Sequence, residues 1–141
     1  MATYDMNKIF LLVGGQRVTG AGDGDFVSIE WNSDRYESTV GADGTHVRSR
    51  LNDNSAMATI SLMYGGNGNP LLDGFRRKDD DSGGGEFAFS MIDIESGTEI
   101  VSTTAWIEAM PGPAIGRTVP ALEWKARLKD AGAVFGALPG I

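Results

Sequence analysis

The chain has 141 residues, no cysteine and a single histidine, His46. Without cysteine there is no disulfide framework and no thiolate metal site, and a reducing cytosol suits such a chain. A zinc site needs three or four Cys, His or carboxylate ligands, and His46 is the one nitrogen ligand on offer. No Gly-x-Ser-x-Gly elbow accompanies it, so a serine triad is not built here. His46 reads instead as an exposed strand residue. Long apolar runs are also missing. The longest, Ile9–Val13, falls far short of the ~18 residues a membrane helix requires. The opening MATYDMNK lacks the basic stretch and apolar core of a secretory signal. Gly65–Pro70 is glycine-rich but has no Gly-Lys-Ser/Thr ending, so it fails as a phosphate loop. Asp23 with Asp25, and the run Asp79–Asp81, miss the EF-hand spacing. These absences predict no enzyme, no cofactor and no metal. No repeat of fixed period is visible, which argues against propellers and solenoids.

Clustered Lys and Arg are scarce as well, and the net charge is −7. Such a chain does not hold DNA by displacing counterions from phosphate. Its acidity serves solubility, or keeps a surface that faces nucleic acid from adhering to it.

What the chain does have is glycine and two-residue alternation. Its 20 glycines are about twice the usual share. They fall between alternating segments and mark turns. Gly14-Gly15 joins the strands predicted at 8–13 and 16–19. Gly20–Asp25 gives cheap access to positive φ before a strand at 25–31. In that strand Val27, Ile29 and Trp31 point one way while Phe26, Ser28 and Glu30 point the other. Segment 56–63 alternates Ala58, Ile60 and Leu62 against Thr59, Ser61 and Met63. Strands follow at 86–93, 98–109 and 118–129. The last sets Leu122, Trp124, Ala126 and Leu128 against Glu123, Lys125, Arg127 and Lys129, a pattern a helix would scatter. Trp31, Trp106 and Trp124 lie mid-strand and are expected in the core. Val134, Phe135, Leu138 and Ile141 are expected to anchor the C-terminal stretch.

One short helix is predicted over 70–78, with Asn69 as N-cap and Pro70 at the first helical position. Leu71, Leu72 and Phe75 share its inner face. The run Asp79–Asp81 opposes the dipole and should end it, leaving 82–85 as a flexible connection. The 141 residues make one domain, with residues 1–7 as an N-terminal arm. The architecture expected is all-β with one short α-helix, an antiparallel sandwich or barrel. The hairpin 36–50 stands out. Tyr36, Val40 and Val47, with Leu51 beside them, are its large apolar side chains, too few to secure two strands on their own domain. Arg48 and Arg50 share a face without a local acid, which Glu30 or Glu37 of a neighbour could supply. The hairpin is therefore expected to project and find its partner on another chain.

The order Gly15-x-Arg17-Val18-Thr19-Gly20, then Asp23-Gly24-Asp25-Phe26-Val27-Ser28-Ile29-Glu30, then Val40-Gly41-Ala42-Asp43-Gly44 resembles the tail-tube proteins of contractile-tailed bacteriophages. The likeness is densest over residues 8–50 and lies in order and spacing. It implies the phage tail-tube type of β-sandwich. Subunits of that family form homohexameric rings that stack into a tube, and DNA passes through the acidic lumen without specific binding. It implies partners too: the same subunit, the sheath outside, the tape-measure protein inside and the baseplate below. The setting would be the tail of a virion made in the bacterial host cytoplasm, with no membrane involved. Under this resemblance Ser28, Glu30, Thr59 and Ser61 are candidates for the lumen face. Tyr36, Glu37, Val40, Gly41, Ala42, Asp43, Gly44, His46, Arg48 and Arg50 are candidates for contacts between subunits. Two alternatives stay open. One is the tube of a contractile bacteriocin or secretion apparatus. The other is a carbohydrate- or cell-surface-binding β-sandwich with exposed aromatics.

Overall fold

The computed structural model describes residues 1–22 and 24–141; Asp23, within the turn expected at 20–25, lies outside the described residues. A 3-10 turn at Met6–Lys8 leads into β1 (Ile9–Val13) and β2 (Gln16–Val18). Then come β3 (Val27–Trp31), β4 (Tyr36–Val40), β5 (His46–Arg50) and β6 (Ala56–Met63). Helix α1 (Gly68–Ser82) follows, and β7 (Phe87–Asp93), β8 (Glu99–Ala109), β9 (Ala121–Leu128) and β10 (Ala131–Val134) complete the chain. The described fold is thus mostly antiparallel β-sheet with one α-helix, as the alternation predicts.

Eight strands make one sheet in the order β2-β1-β7-β8-β9-β6-β3, with β10 also on β8. Strand β8 changes partner along one edge: β10 covers Glu99–Ser102 and β9 takes over from Ala105. Register slips at Phe87/Phe89 and Ile107/Ala109 mark bulges, which add twist and let the sheet curl. The stretch leaving β2 then crosses to the edge of β6. Ala21 bridges Leu62, and the Met63 N–H donates to the Gly20 carbonyl at 2.8 Å. Gly20, at φ 89, makes that crossing possible. The two ends of the sheet meet in this way around one core. Leu11, Val13, Ile60, Leu62, Phe89, Leu122, Trp124 and Leu128 fill it, each the inward partner of an alternating pair.

Helix α1 covers one end of this core through Leu72, which is fully buried, and through Phe75, whose ring is tilted against that of Phe87 at 4.9 Å. Its bounds differ from the expectation at both ends. The N-cap is Asn67, without a side-chain cap bond, and Gly68 is already helical. Gly68 packs so closely that a Cβ would stand 2.8 Å from Val18. Asn69 does different work. Its Nδ2 donates to the Met63 carbonyl at 3.0 Å, and its Oδ1 accepts the buried Trp124 indole N–H at 2.9 Å. The helix also runs through Asp79–Asp81, because local partners offset the dipole. Arg76 bonds Asp73 and Asp80, both at 2.8 Å, and the Asp79 carboxylate accepts the Gly85 N–H. Gly83, left-handed at φ 71, closes the helix by donating to the Asp79 carbonyl at 2.7 Å. The connection at 82–85 is thus a cap and a packed contact: a Cβ on Gly85 would collide with the Phe75 carbonyl.

Two core assignments also change. Trp124 is buried, but Trp106 is half-buried and Trp31, at the end of β3, is 41% exposed. The C-terminal stretch adds β10 to the sheet instead of burying its apolar side chains. Phe135 is 73% exposed and Leu138 half-buried.

Candidate self-assembly surfaces

Ser28, Glu30, Thr59 and Ser61 come together on the outward face of β3-β6-β9. Ser28 lies directly opposite Thr59, Glu30 opposite Met57, and Ser61 opposite Glu123. Ser28 and Glu30 are exposed, Thr59 and Ser61 half-buried. Their inward alternates, Val27, Ile29, Ile60 and Leu62, pack on the core, which forces this side outward. The same face carries Lys125 opposite Thr59 and Arg127 opposite Met57. Arg127 donates to Glu108 at 2.8 Å. Both acids and bases therefore populate it. The alternation of 121–128 already marks Glu123, Lys125 and Arg127 as outward, but strand order, which joins them to Ser28 and Thr59, is not local information.

The hairpin is a separate two-stranded sheet: β4 and β5 pair only with each other among the described strands. Register places Tyr36 opposite Arg50, Ser38 opposite Arg48 and Val40 opposite His46. One face thus presents Tyr36, Val40, His46, Arg48 and Arg50; Glu37, Thr39, Val47 and Ser49 form the other. Of residues 36–50 only Tyr36 is half-buried, and arginines cover it. The Arg48 guanidinium lies 4.3 Å and that of Arg35 5.7 Å from its ring centre. Val40 and Val47 are 56% and 62% exposed. No described ion pair involves Arg48 or Arg50. The tip is well specified all the same. Gly41 N–H donates to the Thr45 carbonyl at 2.8 Å, Gly44 sits at φ 86, and the Asp43 carboxylate accepts the Thr45 N–H at 3.0 Å. Those Thr45 bonds hold the Asp43 carboxyl below its ordinary pKa.

Asp53 ties the hairpin's root to the barrel. Its carboxylate accepts from Ser55 Oγ at 2.6 Å, the Ser55 N–H at 3.0 Å and Asn32 Nδ2 at 2.5 Å. The bonds from Ser55, then that from Asn32, lower its pKa. Leu51 N–H donates to the Arg35 carbonyl at 2.9 Å and completes the root. Beside it runs a groove lined by Trp31, Asp34, Asp53, Ala131 and Phe135. The sequence reading missed this groove because it placed Trp31 and Phe135 inside.

No family model and no curated protein matches the sequence. Solved structures do match the fold over nearly the whole chain. The cap that terminates the anti-feeding prophage tube superposes with a TM-score of 0.68 at 9% identity, covering 96% of this chain and 93% of that one. A chain of the sheath-tube complex of an extracellular contractile injection system (PVC), in its extended state, gives 0.68 at 10% identity, with 94% and 92% covered. A chain of the PVC sheath/tube terminator gives 0.67 at 10% identity, with 97% and 99% covered. The fold is therefore that of the tube-type components of contractile tails, the class of fold the resemblance implies.

Proposed function

We propose that this chain is a structural subunit of a contractile tail's tube. Copies join side by side into rings, six per ring as the resemblance implies, and the rings stack. The single observation that carries this reading is an element with nothing to hold in its own domain. A full two-stranded hairpin projects from a fold shared, nearly end to end, with tube and terminator components. Its unpaired backbone edges and its exposed Tyr36–Arg50 face gain partners only from another copy. Head-to-tail pairing that closes in the ring plane, with a screw along the axis, leaves growth open at the ends.

In this reading the β3-β6-β9 face, with Ser28, Glu30, Thr59 and Ser61, lines the lumen. Six copies of net charge −7 carry −42 per ring. Glu30 and Glu123 balance Lys125 and Arg127 on the face itself, so it lacks the clustered cations that phosphate would grip. Conduction of DNA is then passive, by a wall without adhesion. Sheath outside, tape-measure protein inside and baseplate below complete the assembly, in a virion tail; the tube of a bacteriocin or injection apparatus obeys the same physics. A terminator is the second reading, favoured because two of the structures named above are a cap and a terminator.

Sedimentation and negative-stain microscopy of concentrated protein, alone and with preformed tube seeds, test both readings. A tube subunit forms rings and lengthens seeds. A terminator forms rings and arrests them. A monomer that neither assembles nor binds seeds refutes both.

A further inference from the structure

The barrel's two ends carry unlike apolar patches. Trp31 lies level with Leu128, through Ala56, at one end of β9. There it borders the groove with Phe135, which is 73% exposed. The other end of β9 is Ala121, seven residues away, roughly 23 Å at ~3.3 Å per residue. The loop 110–120 is attached there, held by the bond from the Tyr64 N–H to the Pro120 carbonyl. It exposes Met110 (63%), Ile115 (71%) and Val119 (61%). Apolar groups gathered this way mark a contact surface, and Pro111, Pro113 and Pro120 reduce the entropy lost when such a loop is fixed.

We propose that the loop 110–120 of one copy seats in the Trp31–Phe135 groove of the next, as a head-to-tail contact. The inference rests on the tube reading above. Charge selects this occupant. Arg117 is the only charged residue of the loop. The groove is lined by the carboxylates of Asp34 and Asp53, while its Arg35 leans 5.7 Å over the Tyr36 ring. A cation flanked by Ile115 and Val119 meets two acids flanked by Trp31 and Phe135. Because donor loop and acceptor groove occupy opposite ends of one molecule, each copy uses both, and the contact propagates.

The natural absence of cysteine makes a clean test. A variant carrying both Ile115→Cys and Phe135→Cys is assembled and then oxidised. The loop's attachment at Ala121 lies roughly 23 Å along β9 from the groove end, far beyond the ~7 Å a disulfide bridges, so the expected result is a ladder of covalent multimers on a non-reducing gel and not a closed monomer. Each single variant gives at most a dimer. Assemblies that form normally yet yield no ladder overturn this inference and leave the tube reading standing. Failure of the wild-type chain both to assemble and to bind tube seeds overturns the tube reading itself. A second variant, Arg117→Asp, should raise the critical concentration for assembly by on the order of tenfold, and Asp34→Arg should recover part of that loss. An unchanged critical concentration counts against the docking.

Discussion

Replacing Ser38–Arg48 by Asn-Gly would cut the hairpin back to its root while keeping Glu37 opposite Ser49, a pair that a two-residue turn can close. The cost to the fold follows from burial. Every residue from 38 to 48 is exposed, so little transfer free energy is lost: part of Val40 and Val47, and the Arg48 guanidinium over Tyr36. The removed ladder is an isolated hairpin, which is marginal in water. Shortening the connection from eleven residues to two reduces the closure entropy by roughly 1.5 kcal/mol. The variant should therefore melt at the wild-type temperature or a few degrees above it, since ~1 kcal/mol moves a domain of this size by about 2–4 °C. It should also fail to assemble. Circular dichroism melting and sedimentation at matched concentrations read the two effects separately. A loss of more than ~2 kcal/mol would mean the hairpin braces its own barrel. Normal assembly would remove the hairpin from the contacts between copies.

Asn69→Ala should cost about 1–3 kcal/mol in a denaturant titration, since the buried Trp124 indole N–H loses its acceptor; Trp124→Phe should then cost less in that background than in the wild type. Leu72→Ala should cost about 2–5 kcal/mol by the same assay, because the side chain anchoring α1 is fully buried. Gly44→Val, at φ 86 in open space, should weaken assembly while leaving the global melt within about 0.5 kcal/mol, since the strain is confined to the hairpin tip. Asp53 has a folded pKa below its ordinary 3.8, so its bonds contribute fully above that value and are lost as pH falls through the lower one. Amide exchange at Ser55 should accordingly lose protection on acidification, once corrected for the intrinsic rate, and Asp53→Asn should remove that dependence. A flat profile in the wild type would reject the assignment.

Alternation made most of the sheet legible. The strand at 56–63 has the bounds expected, and Leu122, Trp124, Ala126 and Leu128 are all buried. Local rules failed where a tertiary partner outweighed them. Asn69 looks like a cap by position, yet an indole N–H from β9, distant in sequence, claims its oxygen. The acids at 79–81 should repel a helix end by a few tenths of a kcal/mol each, but Arg76 and the Gly83 turn sit where they offset that. Trp31 obeys its strand's period and is still exposed, because it is the last residue of a strand at the end of the sheet. Ser28, Glu30, Thr59 and Ser61 could be assigned to an outward face from sequence. Their gathering into one patch with Lys125 and Arg127 depends on β6 lying between β3 and β9, which no short window encodes.

The pairing of β6 with β9 constrains how the chain reaches its native state. Residues as distant as Ala56 and Leu128 must meet before both edges of β6 are paired, and β1, joined early to β2, must likewise wait for β7 on its other side. Contacts of such separation fold slowly, on the order of milliseconds to seconds. During that interval, or while a ribosome is still delivering 121–128, β6 has only β3 to pair with, and its other edge stays open beside Ala58, Ile60 and Leu62. Helix α1, built from local bonds, is available much earlier and can shelter Leu62 through Gly68. The hairpin at 36–50 is equally local and can form while the barrel around it is still open. An element made for a neighbouring copy would then be sampled before the domain that carries it, though as an isolated hairpin it stays marginal until that copy binds. Stopped-flow refolding should show this as a fast helical phase followed by slow burial of Trp124, and a single microsecond phase would contradict the order.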